Sequence, residues 1–476
     1  MAVTASAGGV ATWPSVPALP DPATETVLAS GLLDELSYAL GGPFHFLLPA
    51  AFDANLLAMR ATLKAADVDG FVYFAKKSNK AAVWVERCAA HGAGVDVASL
   101  GELREALGHG VRGEDVVVTG PAKARELLEL AVRQGALIAV DALDELEALL
   151  ATETVAALRP ARVLLRCLPP TQPHSRFGMT DAELTAALDR CVRAGDAVRM
   201  EGFSFHLSGY EVGPRADLAA RLVERCLKAR ALGLAADRIS VGGGLPVSYT
   251  DAGSWRAFLA EQHGGHFHAG KSFGSGDFYP YHSPVAGAGA LAALLSSRPQ
   301  GHGQPLAGLL KECGVALLVE PGRALLDRAG GSVFRIQGVK ERDGYRILTV
   351  DGSSLSLSEQ WFNSEYLPEP CLLPRSAEES DGSPGIFPAS VGAATCLESD
   401  LLTWRKVPFP RQPRVGDLLV YPNTAGYQMD SNESPFHELP LPPKVVIDRV
   451  ERPEGRPAGR PERRPRWRFD RHFLRA

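Results

Sequence analysis

From Pro43 onward, short apolar runs alternate with stretches whose apolar positions recur at helical spacing. Val72–Ala75 precedes a helical pattern over 80–91, Val116–Thr119 precedes 123–134, and Ile138–Val140 precedes 144–151. Val163–Cys167 is followed after a loop by a helical pattern over 181–194 and Phe203–His206 by one over 216–232, while Ile239–Val241 and Leu317–Glu320 close the series. Apolar runs this short suit strands buried on both faces, and their alternation with helices predicts a parallel sheet. The number of units suits a (β/α)8 barrel of the TIM type, which carries its reactive residues at the C-terminal ends of its strands.

After about Gly330 the pattern changes. Runs at 332–339, 345–350, 418–421 and 444–450 are separated by clusters of Gly, Pro, Asp and Ser, which predicts a second, mostly antiparallel β domain. The resulting division is an N-terminal extension (1–42), a barrel (43–330), a β domain (331–450) and an Arg- and Pro-rich tail (451–476). The extension carries one helical stretch near 25–39 and is assigned to packing on the β domain. The tail reads as disordered or peripheral by composition, with Trp467, Phe469 and Phe473 as its candidate docking points.

A chain of 476 residues is long enough for two cores, and a net charge of -5 gives no electrostatic reason to expect nucleic acid as a partner. Seven cysteines without regular spacing form neither a disulfide framework nor a zinc ligand set, so no metal is expected and a reducing, cytoplasmic setting is. No window reaches roughly 18 uninterrupted apolar residues, which argues against a membrane partner.

Several strand ends carry chemistry. Phe74–Asn79 holds two adjacent lysines and Lys80 follows; a desolvated lysine is nucleophilic near neutral pH, although a lysine pair at a strand end is ordinarily a solvated edge. Period-two alternation groups Lys77 with Tyr73 and Ala75. Asp96 lies in Gly94–Glu102, where Ser99 and Glu102 also read as a helix-capping box. Arg166 ends a strand ahead of Ser175–Gly178, and His206 ends Phe203–His206, followed by Leu207, Ser208 and Gly209. Gly242, Gly243 and Gly244 follow a strand directly, where missing side chains let backbone N–H groups approach a phosphate. Glu320, Pro321, Gly322 and Arg323 occupy a strand end just before the change of domain. In the β domain, Gly392–Cys396 precedes Asp400, and Ala425–Tyr427 precedes Phe436 and His437.

In this order the motifs resemble the fold-type III pyridoxal-phosphate decarboxylases, the family of diaminopimelate, ornithine and arginine decarboxylases, over about 44–447. The resemblance implies pyridoxal 5'-phosphate bound as a Schiff base to Lys77, with Asp96 and Arg166 nearby and His206 stacked on the ring. It implies a phosphate site at Gly242, Gly243, Gly244, Gly322, Arg323 and Tyr427, with Ser208 out of the usual register. Glu320 would pair with the ring nitrogen, a carboxylate that favours decarboxylation, and Cys396 would reach across a homodimer to assist reprotonation. Leu397 stands where relatives that take diamino acids carry Asp or Glu, which leaves the substrate among amino acids and their derivatives open. Glu398, Asp400 and His282, the last in a long insertion between Gly244 and Glu320, are the candidate substrate residues. The alternatives are another reaction on the same cofactor (racemisation, aldol cleavage, elimination) or a regulatory homologue without turnover.

Overall fold

The computed structural model describes residues 13–152, 159–359, 364–375, 385–449 and 466–470. Eight parallel strands close into a barrel: β2 (Gly70–Ala75), β3 (Gly94–Val97), β4 (Val116–Val118), β5 (Leu137–Val140), β6 (Ala161–Arg166), β7 (Val198–Ser204), β8 (Arg238–Ser240) and β9 (Ala316–Val319). β2 pairs with β9 at Gly70↔Leu317, which shuts the ring and leaves no open edge. Inside it Tyr73, Val117, Leu137, Leu164 and Leu318 form a packed core, as a barrel of this size requires.

β7 begins five residues before the apolar run at Phe203 that the hydrophobic pattern picks out. Its first half carries the buried Glu201, held by Arg162 (2.7 Å) and Arg238 (3.3 Å) at the N-terminal end of the barrel. A buried, paired charge is invisible to a rule that looks for apolar residues.

The second sheet runs β14 (Leu401–Phe409), β13 (Phe387–Gly392), β11 (Tyr345–Val350), β10 (Gly330–Arg342), β1 (Phe44–Leu47), β16 (Lys444–Arg449), β17 (Arg466–Phe469), with β15 (Leu418–Pro422) joining β10 to β12 (Cys371–Leu373). It is mostly antiparallel; β1–β16 and β11–β13 are the parallel pairs. Two sequence expectations are corrected. β1 falls within the barrel by sequence order, yet it pairs with β10 and β16 and so belongs to the β domain. The Arg/Pro tail is not wholly peripheral: β17 pairs with β16, and the buried Asp470 accepts from the N–H groups of Ala82 (3.0 Å) and Val83 (2.9 Å), capping a barrel helix. Phe473 lies outside the described residues.

The stretch near 25–39 is two helices, Pro22–Ala29 and Leu32–Leu40, parted at Gly31, whose φ of 72° suits a residue without Cβ. Their apolar faces meet Phe44, Phe46, Val420 and Val445 of the second sheet. The insertion after Gly244 packs as an aromatic block of Trp255, Phe258, Phe267, Phe278, Tyr279 and Tyr281. It docks on β14 through a bridge between Phe267 and Arg405 and through Lys271 Nζ, 3.9 Å over Trp404. No helix among the described residues is long and apolar enough to cross a membrane.

Candidate active site

The chain leaves β2 in a single tight turn, residues 76–78, so strand alternation stops at Ala75. Lys76 and Lys77 part there. Lys76 is buried and donates to the carbonyl of Lys80 (3.2 Å), and Lys80 sits in the connector before the helix at Ala82 rather than inside that helix. Lys77 reaches solvent in a cleft at the C-terminal mouth of the barrel, where Asp96, Tyr427, Glu320 and Arg166 act on its charge. Burial opposes that charge, but Asp96, Tyr427 and Glu320 outweigh it and hold the ammonium above the ordinary lysine range. The expectation of an amine lowered by desolvation is therefore met at Lys76, where burial dominates, and not at Lys77. Geometry, not acidity, distinguishes the lysine that faces the cleft.

Asp96, in β3, is buried and accepts from the Thr119 hydroxyl (2.6 Å). Ser99 and Glu102 form the local cap: the Glu102 N–H donates to Ser99 Oγ (3.2 Å) and the Ala98 N–H to Glu102 Oε2 (2.7 Å). Arg166, the last residue of β6, pairs with Asp141 (3.0 Å) and lies 4.5 Å over the Phe177 ring. Asp141 also accepts from the Gly178 N–H (3.1 Å), and sequence reasoning missed it. Its signal was an acid placed directly after the apolar run of β5.

His206 lies two residues beyond β7, its ring open to the cleft. Surrounding protein, then the charges of Lys77, Arg166 and Arg215, push its pKa down to about 3, so the imidazole is neutral. Glu320, one residue beyond β9, accepts from the Ser240 hydroxyl (2.5 Å), another partner not foreseen. Burial and then the Asp96 charge raise the Glu320 carboxyl to about 7.

The glycines form a cradle. A Cβ on Gly242 would stand 2.9 Å from His206 Nδ1, one on Gly243 2.7 Å from the Glu320 carbonyl oxygen, and one on Gly244 2.4 Å from Arg215 Nη2. Among the described residues the N–H groups of Gly243 and Gly244 donate to no protein acceptor. Gly322 closes on Tyr427: a Cβ there would stand 2.7 Å from the phenol oxygen and 2.9 Å from Ser78 Cβ. Tyr427 is held in a left-handed conformation (φ 79°) by its N–H donating to the Ser78 carbonyl (2.8 Å).

Other candidates are placed differently. Ser208 is exposed and tied through its backbone to Gln172, at 3.3 and 3.4 Å. Arg323 is buried against Glu359 (3.3 Å), donates to Tyr249 Oη (3.0 Å), and lies 4.1 Å over the Tyr279 ring. Its guanidinium is thus committed to a carboxylate in the β domain and to the aromatic insertion. Asp400 is buried and pins its own loop, accepting from the Ser354 N–H (2.8 Å) and the Thr395 hydroxyl (2.5 Å), which corrects its assignment to substrate. That loop exposes Cys396, Leu397 and Glu398, with Cys396 Sγ 3.1 Å from His437 Nε2. His282 contacts the Thr250 carbonyl (3.3 Å), and His268 contacts Tyr345 (2.7 Å), so these parts of the insertion turn to its own fold and to the β domain.

The family model for the pyridoxal-dependent decarboxylase, pyridoxal binding domain, matches residues 52–262. An uncharacterized protein, y4yA, of Sinorhizobium fredii is 38% identical over 417 residues, 87% of this chain and 89% of that protein. The diaminopimelate decarboxylase of Actinosynnema pretiosum is 27% identical over 90% of this chain and 89% of its own length. The chain belongs to the fold-type III pyridoxal-phosphate-dependent decarboxylases. Solved structures share the fold of this family: the diaminopimelate decarboxylase of M. jannaschii with L-lysine (TM-score 0.68, 18% identity, 87% of this chain and 89% of that one) and the lysine/ornithine decarboxylase of Vibrio vulnificus with cadaverine (TM-score 0.67, 19% identity, 89% and 97%).

The cofactor of the family, pyridoxal 5'-phosphate, fits the residues present. Gly243 and Gly244 offer two N–H donors with no protein acceptor in a cradle that admits no side chain, the pattern of a phosphate site. A lysine and a neutral imidazole stand open in one cleft with a half-buried carboxyl of raised pKa.

Proposed function

We propose that this decarboxylase-family chain removes carbon dioxide from an amino acid or an amino-acid-derived metabolite, with Lys77 holding the cofactor covalently. The observation that carries the reading is the convergence on Lys77 of Asp96, Glu320, Arg166 and Tyr427 from four separate segments of the chain. Bound pyridoxal phosphate supplies the electron sink that makes loss of carbon dioxide accessible.

The chain's own residues do the rest. The Lys77 amine would hold the cofactor, with Asp96 and Glu320 balancing its charge. Glu320, as a carboxylate accepting from the ring nitrogen, would keep that nitrogen protonated. His206, neutral and flat, offers its face to the ring. Gly243 and Gly244 donate N–H groups to the phosphate, and the Tyr427 hydroxyl serves the same end. Cys396 returns a proton to the product carbon from a second copy of the chain; the exposed tip Cys396–Ser399, with Leu397 49% accessible, suits entry into a homodimer partner. An apolar Leu397 beside that thiol would leave a distal ammonium without a partner, which favours substrates other than plain diamino acids.

Visible absorption of the purified protein, borohydride reduction with peptide mapping, and carbon dioxide release across basic, acidic and hydroxylated amino acids test this reading. The expected results are a reduced adduct on Lys77 and release from at least one amino acid. An adduct on Lys76 or Lys80 would overturn the assignment of Lys77, and a Lys77 adduct with no release from any amino acid would favour a regulatory role.

A further inference from the structure

Arg215, in the first turn of the helix Val212–Ala231, is a cation that none of the motifs predicts. It is 2% exposed. Its Nη1 donates to the carbonyl of Val241 (2.9 Å), directly before the glycine cradle, and its Nη2 donates to the carbonyls of Gly209 (3.1 Å) and Leu207 (3.3 Å) in the loop after His206. Nη2 also stands where a methyl group on Gly244 would be, only 2.4 Å away. Among the described residues no carboxylate pairs with it, and burial pulls its guanidinium down to about 10. A buried cation bonded only to neutral carbonyls is costly unless a negative charge arrives.

The sequence assigns the phosphate's cation to Arg323, but that side chain already faces Glu359 and is neutralised by it. Ser208, the residue nearest the family's position, lies out of register on an exposed loop whose backbone is tied to Gln172. Arg323 is therefore committed elsewhere and Ser208 displaced, while an unneutralised guanidinium stands beside Gly244 and holds the Val241 carbonyl just ahead of the cradle.

We propose that Arg215 is the positioning residue of the cofactor phosphate: through the backbone it holds, it fixes the cradle and balances the dianion from behind, in place of Arg323. The proposal rests on pyridoxal phosphate occupying the Lys77 cleft. Arg215 makes no direct contact with the phosphate; the glycine N–H groups do.

The test compares apoprotein affinity for pyridoxal 5'-phosphate with that for pyridoxal, which has the aldehyde and ring but no phosphate, followed by absorbance titration. R215Q is expected to weaken the phosphorylated ligand roughly 10- to 100-fold while changing pyridoxal less than about 3-fold, the loss for one charge interaction across a backbone layer. R215K, which keeps the charge, is expected to stay within about 5-fold of the native preference for the phosphorylated form. R323Q is expected to lower both affinities alike. An equal loss for both ligands in R215Q would make Arg215 a loop brace and overturn the proposal. Should R215Q not fold by circular dichroism, R215K decides: loss of the native preference with the charge retained overturns it as well. A native protein that binds pyridoxal phosphate no better than pyridoxal overturns the proposal while leaving Lys77 chemistry standing, whereas one that binds neither overturns the cleft's assignment too.

Discussion

Gly322→Ala probes the junction of the two domains with a single methyl group. The backbone at 322 is not left-handed, so the substitution carries no conformational penalty and acts through space alone. Its Cβ would stand 2.7 Å from the Tyr427 hydroxyl and 2.9 Å from Ser78 Cβ. Non-bonded atoms of this kind settle nearer 3.5 Å, so roughly 0.6–0.8 Å of movement must be found. Ser78 cannot give easily: it is fully buried, its hydroxyl donates to the Ala75 carbonyl (2.7 Å) and its own carbonyl holds Tyr427 (2.8 Å). The phenol is the far end of a side chain, and it moves. The fold should lose about 1–2 kcal/mol, the lower part of the range for overpacking. Displacing a hydroxyl from a charged phosphate costs about 1.5–3 kcal/mol, or roughly 10- to 100-fold in cofactor affinity. Apoprotein titration with pyridoxal phosphate, monitored by absorbance, measures the effect. Tyr427→Phe should give the same loss of affinity without the loss of stability. The double variant should then bind no worse than Tyr427→Phe alone, because both changes remove one contact. Additive losses would refute the reasoning, since they would mean that the methyl group acts on something other than the phenol.

Three further outcomes follow from the structure. His45 is fully buried, and burial followed by the Lys444 charge depresses it to about 3 against 6.5 when unfolded; its neutral form is native, so stability is complete above pH 6.5 and falls as the unfolded chain takes up the proton. Urea denaturation should show about 2 kcal/mol less stability at pH 5 than at pH 7 from this residue, and H45Q should remove that part of the slope; an unchanged slope would refute it. Asp470→Ala leaves two helix N–H groups uncapped and should lower stability by about 1–2 kcal/mol in urea, whereas no change would mean that β17 contributes nothing to the barrel. Glu320→Gln should leave borohydride labelling of Lys77 intact while slowing carbon dioxide release about 100-fold or more, and full activity in this variant would remove Glu320 from the chemistry.

Local sequence determined the barrel strands well because they are buried on both faces: β4, β5 and β9 are apolar throughout, and each was bounded to within a residue or so. Where a strand carries a neutralised charge or prolines, the same rule fails. The first half of β7 hides Glu201 between two arginines, and β13 and β14 place Pro388 opposite Pro408. β1 reads as an apolar run like any other, and its membership of the second sheet rests on pairing with Gly330–Val333, nearly 300 residues away in sequence. Among the candidate residues, the family resemblance carried by the order of the motifs proposes Lys77, Asp96, His206, the glycine run and Glu320, and each lies at or just past the end of a barrel strand. What those residues face was decided only by the tertiary structure. The tight turn at 76–78 sends Lys76 and Lys77 apart, the Glu359 carboxylate captures Arg323, and Asp400 turns inward to fasten its loop. Arg215 gave no signal in sequence, since an arginine on an amphipathic helix looks like one facing solvent. A residue's type and position fix what it is able to do, but its charge is balanced by neighbours that the fold brings from elsewhere, and that balance is not written in any one segment.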